Sequence, residues 1–375
     1  MSLARSAVPN ALLYPFLSRR RRRPVSPYQR AAIFKLGKLG DAVLALGAIR
    51  TLVEHFGPRH CALVCSPYSV DLMASEFPSV ERLTVTTNHS TLRRTLSDLR
   101  RHRDHPLFRR GVENLVSLQH HRTIHDDTII SAVPAARSWG LANSALGVAE
   151  QRDQIVTTAY PFDIVAPEPD EISGVCRELA LHSSLLSAIL GRAIAPLDLR
   201  PRIGAGESAP LPAIGLAPFS GSALRDLPMP LLVSACEKAR LLGLSVHLWS
   251  ASPADPRVTG IAAGLNRASQ ADVAIVHTRT TAELIRAISC VRLAVAAESA
   301  PAHIAAALDR PLLAVLGGGH FGWFAPWATS GRQRWIFSRQ PCYSCNWRCI
   351  HPEPICITQI ADSAFRRAMD EALAA

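Results

Sequence analysis

Two groups of side chains in this 375-residue sequence have types and spacings that could do chemistry. The first lies in KLGKLGD, residues 35–41, where the carboxylate of Asp41 follows a glycine just as a short apolar segment hands over to a helical pattern. On the local pattern alone Asp41 is a helix N-cap, accepting hydrogen bonds from the free N–H groups of the first turn. The second is Cys342, Cys345, Cys349 and Cys356, a CxxC followed by two further cysteines within eleven residues. Four thiolates so spaced could hold a structural zinc or iron ion, or stand as free or redox-active thiols. One CxxC is a weaker zinc signature than a pair of them.

The surrounding sequence predicts the elements that position these groups. Residues 31–36 (AAIFKL) form a short, partly β-branched apolar run that reads as a buried strand, and Gly37 and Gly40 punctuate its end. After Asp41, the apolar residues Ala42, Leu46, Ile49, Val53 and Phe56 recur at spacings of three and four until Gly57-Pro58, which predicts one helix. CALVCS (61–66) and ENLVSL (113–118) read as further strands of a parallel sheet. RPRIGAGESAPLPA (200–213), rich in Pro and Gly and without a period, is the linker. Beyond it AIGLAP opens a second alternation: a helix around 231–242, the strand LSVHLWS, a helix around 282–288, the strand RLAVAAE, a helix through 303–308 and the strand PLLAVLGGG. The expectation is an α/β chain with a basic arm at 1–27, a Rossmann-like domain at 28–205 and a second at 206–375 that ends in the Cys-rich tail. Two such domains are expected to face each other across a cleft, with ligands beyond the C-terminal strand ends, where Asp41 and Glu298 fall.

Composition narrows the partners. The chain exceeds the size at which one core usually keeps growing, and 48% hydrophobic with 19% charged residues describes a foldable soluble protein. No apolar run reaches the length of a membrane span. ALLYPFL (11–17) precedes RRRRRP, whereas a secretory signal places its positive charge before the apolar core, so the segment reads as uncleaved. The net charge of +11 and the arginine run at 19–23 point to an anionic partner. Without aromatic interleaving or a reading motif, no nucleic-acid partner is expected. An anionic membrane surface suits the run, since each basic residue near anionic lipid is worth about 1 kcal/mol, as does a solvated arm. Nine cysteines in a chain without export signals imply a reducing compartment. The expected location is the cytoplasm, peripheral on the cytoplasmic face of the inner membrane.

The segments KLGKLGDAVLALGAIRTL, LAPFSGSALRDLP, LWSASPAD, AAESAPAHIAAALDRPLLAVLGGG and PCYSCNWRCIHPEPICITQI resemble, in order from about Ala31 to the C-terminus, the successive motifs of glycosyltransferase family 9, the lipopolysaccharide heptosyltransferase family. The resemblance implies the GT-B fold and an inverting transfer without an essential metal or cofactor. The sugar, a heptose or a related hexose, would pass from an ADP- or UDP-linked nucleotide diphosphate donor to a hydroxyl of lipopolysaccharide or another anionic cell-surface glycan or glycolipid. The resemblance makes Asp41 the base that takes the acceptor's proton, and Lys35 and Lys38, beside it, could meet an anionic acceptor. On the donor side it points to Ser220, Ser222 and Arg225 for the diphosphate and Asp255 for ribose hydroxyls. Glu298, Ser299, Ala300 and His303 stand at a helix start whose N–H groups and dipole favour phosphate. The bland readings stay open: a surface Arg225, helix-start Asp255 and Ser299, an interior His303, solvated lysines, and HFGWFAPW (320–327) as core rather than cleft wall.

The chain departs from the commoner family pattern at four places. Glu298 replaces an aspartate, Ala300 a glycine and Arg225 a lysine, and GGGHF (317–321) replaces a loop that usually carries Pro, Thr and Asp. The chemical characters survive, which favours a branch using another nucleotide sugar. The alternatives are a catalytically decayed nucleotide-sugar-binding homologue or another GT-B enzyme such as a nucleotide-sugar epimerase.

Overall fold

The structure, a computed structural model, describes residues 24, 26–87, 91–142, 161–166, 175–204, 211–327 and 330–375. The arginine run, the ALLYPFL segment and the middle of the linker, 205–210, lie outside the described residues. The chain forms two compact units, residues 1–173 with 177–199, and residues 174–176 with 200–375.

In unit 1 the strands β1 (Gln29–Lys35), β2 (Cys61–Cys65), β3 (Glu81–Thr84), β4 (Val112–Ser117), β5 (Ala135–Leu141) and β6 (Ile164–Ala166) form one sheet in the order β3-β2-β1-β4-β5-β6. Every pairing is parallel. Residues 31–34 of β1 and all of β2 are buried, which accounts for their unbroken apolar runs: strands inside a parallel sheet are covered on both faces. Unit 2 contains β7 (Ala213–Ala217), β8 (Ser245–Ser250), β9 (Val273–His277), β10 (Leu293–Ala297), β11 (Leu312–Val315) and β12 (Gln333–Ile336), again all parallel, in the order β12-β11-β10-β7-β8-β9. Counted from its own first strand, each unit has the same order, 3-2-1-4-5-6, the Rossmann arrangement. The expected class, α/β with two Rossmann-like sheets, holds.

This order fixes where side chains can gather. Strand direction of winding reverses between β1 and β4 in unit 1 and between β7 and β10 in unit 2, and ligands in such sheets bind outside the carboxyl ends at that reversal. Phe34 pairs with Ser117 and Ala217 with Ala296, so the segments after these four strands emerge side by side within each unit.

The helix expected after Asp41 is two: α1 (Leu39–Leu44) and α2 (Leu46–Phe56), joined at Ala45, whose N–H still reaches the carbonyls of Asp41 and Ala42. It also begins earlier than expected, at Leu39, so Asp41 is the third helical residue rather than the cap. The strands without a sequence signal include the edge strands β3, β6 and β12, only three or four residues long, and β5, whose run is broken by Arg137 and Ser138. Short or half-exposed strands lack the continuous apolar pattern of a covered one.

Six further helices carry residues of interest: α3 (Ile124–Ser131), α4 (Arg177–Leu190), α5 (Met229–Leu241), α6 (Pro256–Ser269), α7 (Ala300–Ala307) and α8 (Asp362–Ala374). In α8, Phe365, Ala368, Met369 and Ala372 enter the same core cluster as Ile214 of β7 and Leu232 of α5. The Arg366 side chain pins this packing by donating to Asp362 and to Glu237 of α5, both at 2.6 Å, and Ser234 of α5 bonds Asp362.

Candidate functional site

At the reversal point of unit 1, β1 ends in Lys35 and the chain turns through residues 36–38 into α1. Asp41 folds back on this turn, its Oδ2 accepting from the N–H of Lys38, the residue preceding α1, at 3.1 Å. An acidic residue at the third helical position commonly serves the start of a helix in this way. The arrangement needs Gly37: a Cβ there would lie 2.6 Å from Asp41 Oδ2. Its carbonyl is held by Ser66, just after β2, at 2.8 Å. Asp41 is therefore a fixed, half-exposed carboxylate at the end of the sheet's first strand.

The two lysines of the turn separate. Lys38 is exposed and remains available to an anionic ligand. Lys35 departs from the expectation of an acceptor contact: it is buried, and its Nζ donates to Glu178 Oε1 of α4 at 2.7 Å and to the Leu118 carbonyl at 3.2 Å. An ammonium at the end of a covered central strand can persist only when so paired.

Three basic side chains converge on Glu178: Lys35, His120 and His182. Its second oxygen lies 2.7 Å from His120 Nδ1, and His182, one turn along α4, approaches Oε1 at 3.4 Å. All four side chains are buried. Burial alone would push the Glu178 carboxyl up, but His120 and Lys35 hold it well below the usual carboxylate range. Burial also pushes His182 down to about 4 against the attraction of Glu178, so that imidazole is neutral at pH 7. Beside them Arg122 pairs with Asp127 at 2.8 Å, and Asp126 at the start of α3 accepts from Thr123 while burial raises it to about 6. This group was missed from the sequence. Its signal was QHHRTIHDDT directly after β4 and a lone glutamate in the apolar run of α4.

In unit 2 the loop after β7 is a self-bonded turn: Ser220 accepts through its hydroxyl from the Ser222 N–H and donates to the Ser222 carbonyl, while its own N–H goes to Asp226. Arg225 follows, half-buried, with its guanidinium 5.7 Å above the Trp347 ring. Across the reversal, after β10, Glu298 is buried and accepts from the Gly317 N–H at 3.4 Å. Burial raises its carboxyl to about 7, against the opposing pull of Arg225 and Gly317. The structure thus brings a guanidinium and a carboxyl poised near neutrality to one end of the sheet.

The other donor-side candidates divide. Asp255 is the N-cap of α6, accepting from the Arg257 N–H at 2.8 Å. Ser299 precedes α7 but does not cap it: its hydroxyl donates to the Ala297 carbonyl instead, and Ala300 opens the helix. His303 departs from the expected donor contact, since it is buried, accepts from the Trp327 indole N–H at 3.1 Å and stacks on that ring. Trp327 is core, while other aromatics line the loop that follows β11.

That loop, residues 317–319, needs its three glycines. A Cβ on Gly317 or Gly319 would come within 2.0 or 2.5 Å of the Trp347 ring, and one on Gly318 within 2.4 Å of Tyr343. The Cys-rich tail thus lies directly on the loop that holds Glu298. Its backbone reaches this position through left-handed residues at Ser344, Asn346 and Trp347, and bonds run from the Ser344 and Asn346 N–H groups to the Gly318 and Gly319 carbonyls.

Residues 236–350 match the sequence model of glycosyltransferase family 9 (heptosyltransferase). The resemblance to glycosyltransferase family 9 stands. The matched segment contains Asp255, the Glu298 turn, α7, the glycine loop and Trp347. Among solved structures, the chain is similar to the ADP-heptose lps heptosyltransferase II of E. coli, at 17% identity and a TM-score of 0.64, over 92% of this chain and 99% of that one. It is also similar to the family 9 glycosyltransferase of Veillonella parvula DSM 2008, at 12% identity and a TM-score of 0.70, over 94% and 99%. A third likeness is to the iron-containing dodecameric glycosyltransferase TibC of enterotoxigenic E. coli H10407, at 13% identity and a TM-score of 0.53, over 93% and 77%. At these identities the likeness carries the GT-B fold. No curated protein matches the chain.

The iron of TibC belongs to TibC. Among the described residues of this chain, no three His, Cys, Asp or Glu side chains are grouped to hold a metal ion, so Cys342, Cys345, Cys349 and Cys356 do not make the site that their spacing allowed. All four are free thiols. The tail is wound to seat Trp347 and Tyr343 on the glycines, and the Cys356 sulfur takes the Gly318 N–H at 3.3 Å.

Proposed function

We propose that this chain is an inverting glycosyltransferase that moves a heptose or a related hexose from a nucleotide diphosphate sugar to a hydroxyl of lipopolysaccharide or another anionic cell-surface glycan. The observation that carries the reading is the pair Arg225 and Glu298 at the reversal point of the unit 2 sheet, the latter within the segment that matches family 9. A half-buried guanidinium can neutralise a leaving diphosphate bidentately, so the reaction needs no catalytic metal or cofactor on this reading. The start of α7 adds N–H groups and the positive end of a helix dipole. Asp255 keeps an oxygen for ribose hydroxyls beyond the one that caps α6.

On the acceptor side Asp41 is the base. It takes the hydroxyl proton as the acceptor oxygen forms its bond to the anomeric carbon, while the bond to the diphosphate breaks on the opposite face and inverts that centre. Lys38 meets the acceptor's negative charge. The partners on this reading are an ADP- or UDP-linked donor, an anionic acceptor and an anionic membrane surface on the cytoplasmic side. Among the described residues no helix is long and apolar enough to cross a membrane. The ADP-heptose named for the E. coli enzyme makes that donor the first to test.

A thermal-shift screen of ADP, UDP and their sugars tests the reading. A bound donor at 100 times its dissociation constant should stabilise the protein by about 2.7 kcal/mol. A screen in which no nucleotide diphosphate raises the melting temperature would overturn it.

A further inference from the structure

The buried charges beneath the Asp41 turn take no part in the transfer chemistry above. Only three lysines occur among the 41 Lys and Arg residues of the chain, and two of them are Lys35 and Lys38. At position 35 a compact ammonium is used where the chain elsewhere prefers arginine, and it is fully enclosed. Its Nζ joins three separate segments: β1, which carries it, the Leu118 carbonyl just after β4, and Glu178 of α4. These are the segments that meet at the reversal point of the sheet. The other oxygen of Glu178 lies 2.7 Å from His120 Nδ1.

From this carboxylate a short path of bonds leads to Asp41. Glu178 holds Lys35; two residues on, Ser66 holds the Gly37 carbonyl; the next N–H, of Lys38, holds the Asp41 carboxylate. A buried ion pair is an uneconomical way to fill a core, because apolar residues of the same volume serve stability as well or better. What it offers is direction, since a hydrogen-bonded ammonium fixes the end of β1 in a way that apolar packing does not.

We propose that Glu178 is a positioning residue for the Asp41 turn, acting through Lys35. The inference rests on the reading of Asp41 as the base, and it predicts that the Asp41 carboxylate loses its fixed place when the Glu178–Lys35 link is removed.

The test compares wild type with Glu178→Asp and with Lys35→Met/Glu178→Gln. Glu178→Gln alone leaves the Lys35 ammonium buried without its counter-charge and is liable to unfold; the double variant removes both charges, and Glu178→Asp keeps them while withdrawing the carboxylate by one methylene. Amide hydrogen exchange is read at residues 36–41 and, as a control, in β7 and β10 of unit 2. Turnover and donor KM are measured with the donor found in the screen. In both variants, exchange at 36–41 is expected to rise about 10-fold or more with the control strands unchanged. Turnover is expected to fall about 10-fold or more with donor KM within roughly twofold, as a displacement of a catalytic group by a fraction of an ångström would cause. Folded variants with wild-type exchange at 36–41 and wild-type turnover would overturn the proposal and leave the cluster a charged plug. If neither variant folds, the link is structural and the proposal also falls. Should the wild type transfer no sugar, the exchange result still decides the link between Glu178 and the turn, so its failure is separable from that of the glycosyltransferase reading.

Discussion

Asp41 is held by a single N–H, that of Lys38, and an asparagine oxygen can accept the same bond. Asp41→Asn should therefore leave the melting temperature and donor affinity nearly unchanged while turnover falls roughly 10²- to 10⁴-fold, because the proton acceptor is gone. A near-wild-type rate would reduce Asp41 to a helix-start residue. Glu298 gives a second expectation. Folded, it keeps its proton to about pH 7, whereas an unfolded glutamate releases it near the usual 4.5. Between those values the native state binds more protons, so stability falls as pH rises from 4.5 to 7, by on the order of 3 kcal/mol. Glu298→Gln keeps an acceptor for the Gly317 N–H and should flatten this dependence in denaturant unfolding across that window. Above pH 7 the ionised carboxylate competes with a bound diphosphate for Arg225, so ADP binding should weaken with rising pH in wild type but not in the variant. Of these residues, Asp41 and Glu298 stood out in the sequence because glycines and strand ends mark their places. The internal commitments of Lys35 and His303 did not, because their partners, Glu178 and Trp327, are remote in sequence.

The glycine loop after β11 and the Cys-rich tail form one interlocked element, with Trp347 seated on Gly317 and Gly319. Gly317→Ala should cost about 1–3 kcal/mol by overpacking, and Trp347→Ala about 3–5 kcal/mol by emptying a buried site. In the Trp347→Ala background the added methyl of Gly317→Ala has room, and its cost should shrink to within about 0.5 kcal/mol, read from a double-mutant cycle in denaturant unfolding. An unchanged cost in both backgrounds would mean that the ring does not set the need for glycine. The sequence announced the triple glycine and the cysteines separately, and the cysteines drew attention to metal. The closeness that explains both is a tertiary contact between segments some thirty residues apart, visible to no periodicity. By contrast the long covered strands β1, β2 and β10 were legible, since a strand buried on both faces writes its environment into an unbroken apolar run.

Across the whole molecule the same strand order occurs twice, each time with its own core. The βα alternation made this legible, although the edge strands were not. The arginine run at 19–23 adds a concentrated charge outside both units' described residues. Deleting residues 1–24 should lower binding to anionic vesicles by about 1 kcal/mol per basic residue in contact, in a sedimentation assay, while turnover on a soluble acceptor analogue stays near wild type. Vesicle binding that survives the deletion would remove the run from the membrane reading. The last helix, α8, has a consequence for biosynthesis. Unit 1 is complete by Leu199, whereas Phe365 and Met369 close a core that Ile214 opens. At ribosomal rates of about 5–20 residues per second, the nascent chain spends roughly six to twenty-five seconds between the end of α5 and the arrival of the α8 residues that pack on it. Through that interval unit 1 is a finished domain tethered to an unfinished one, and the yield of native protein depends on how well chaperones shield unit 2 until α8 leaves the exit tunnel.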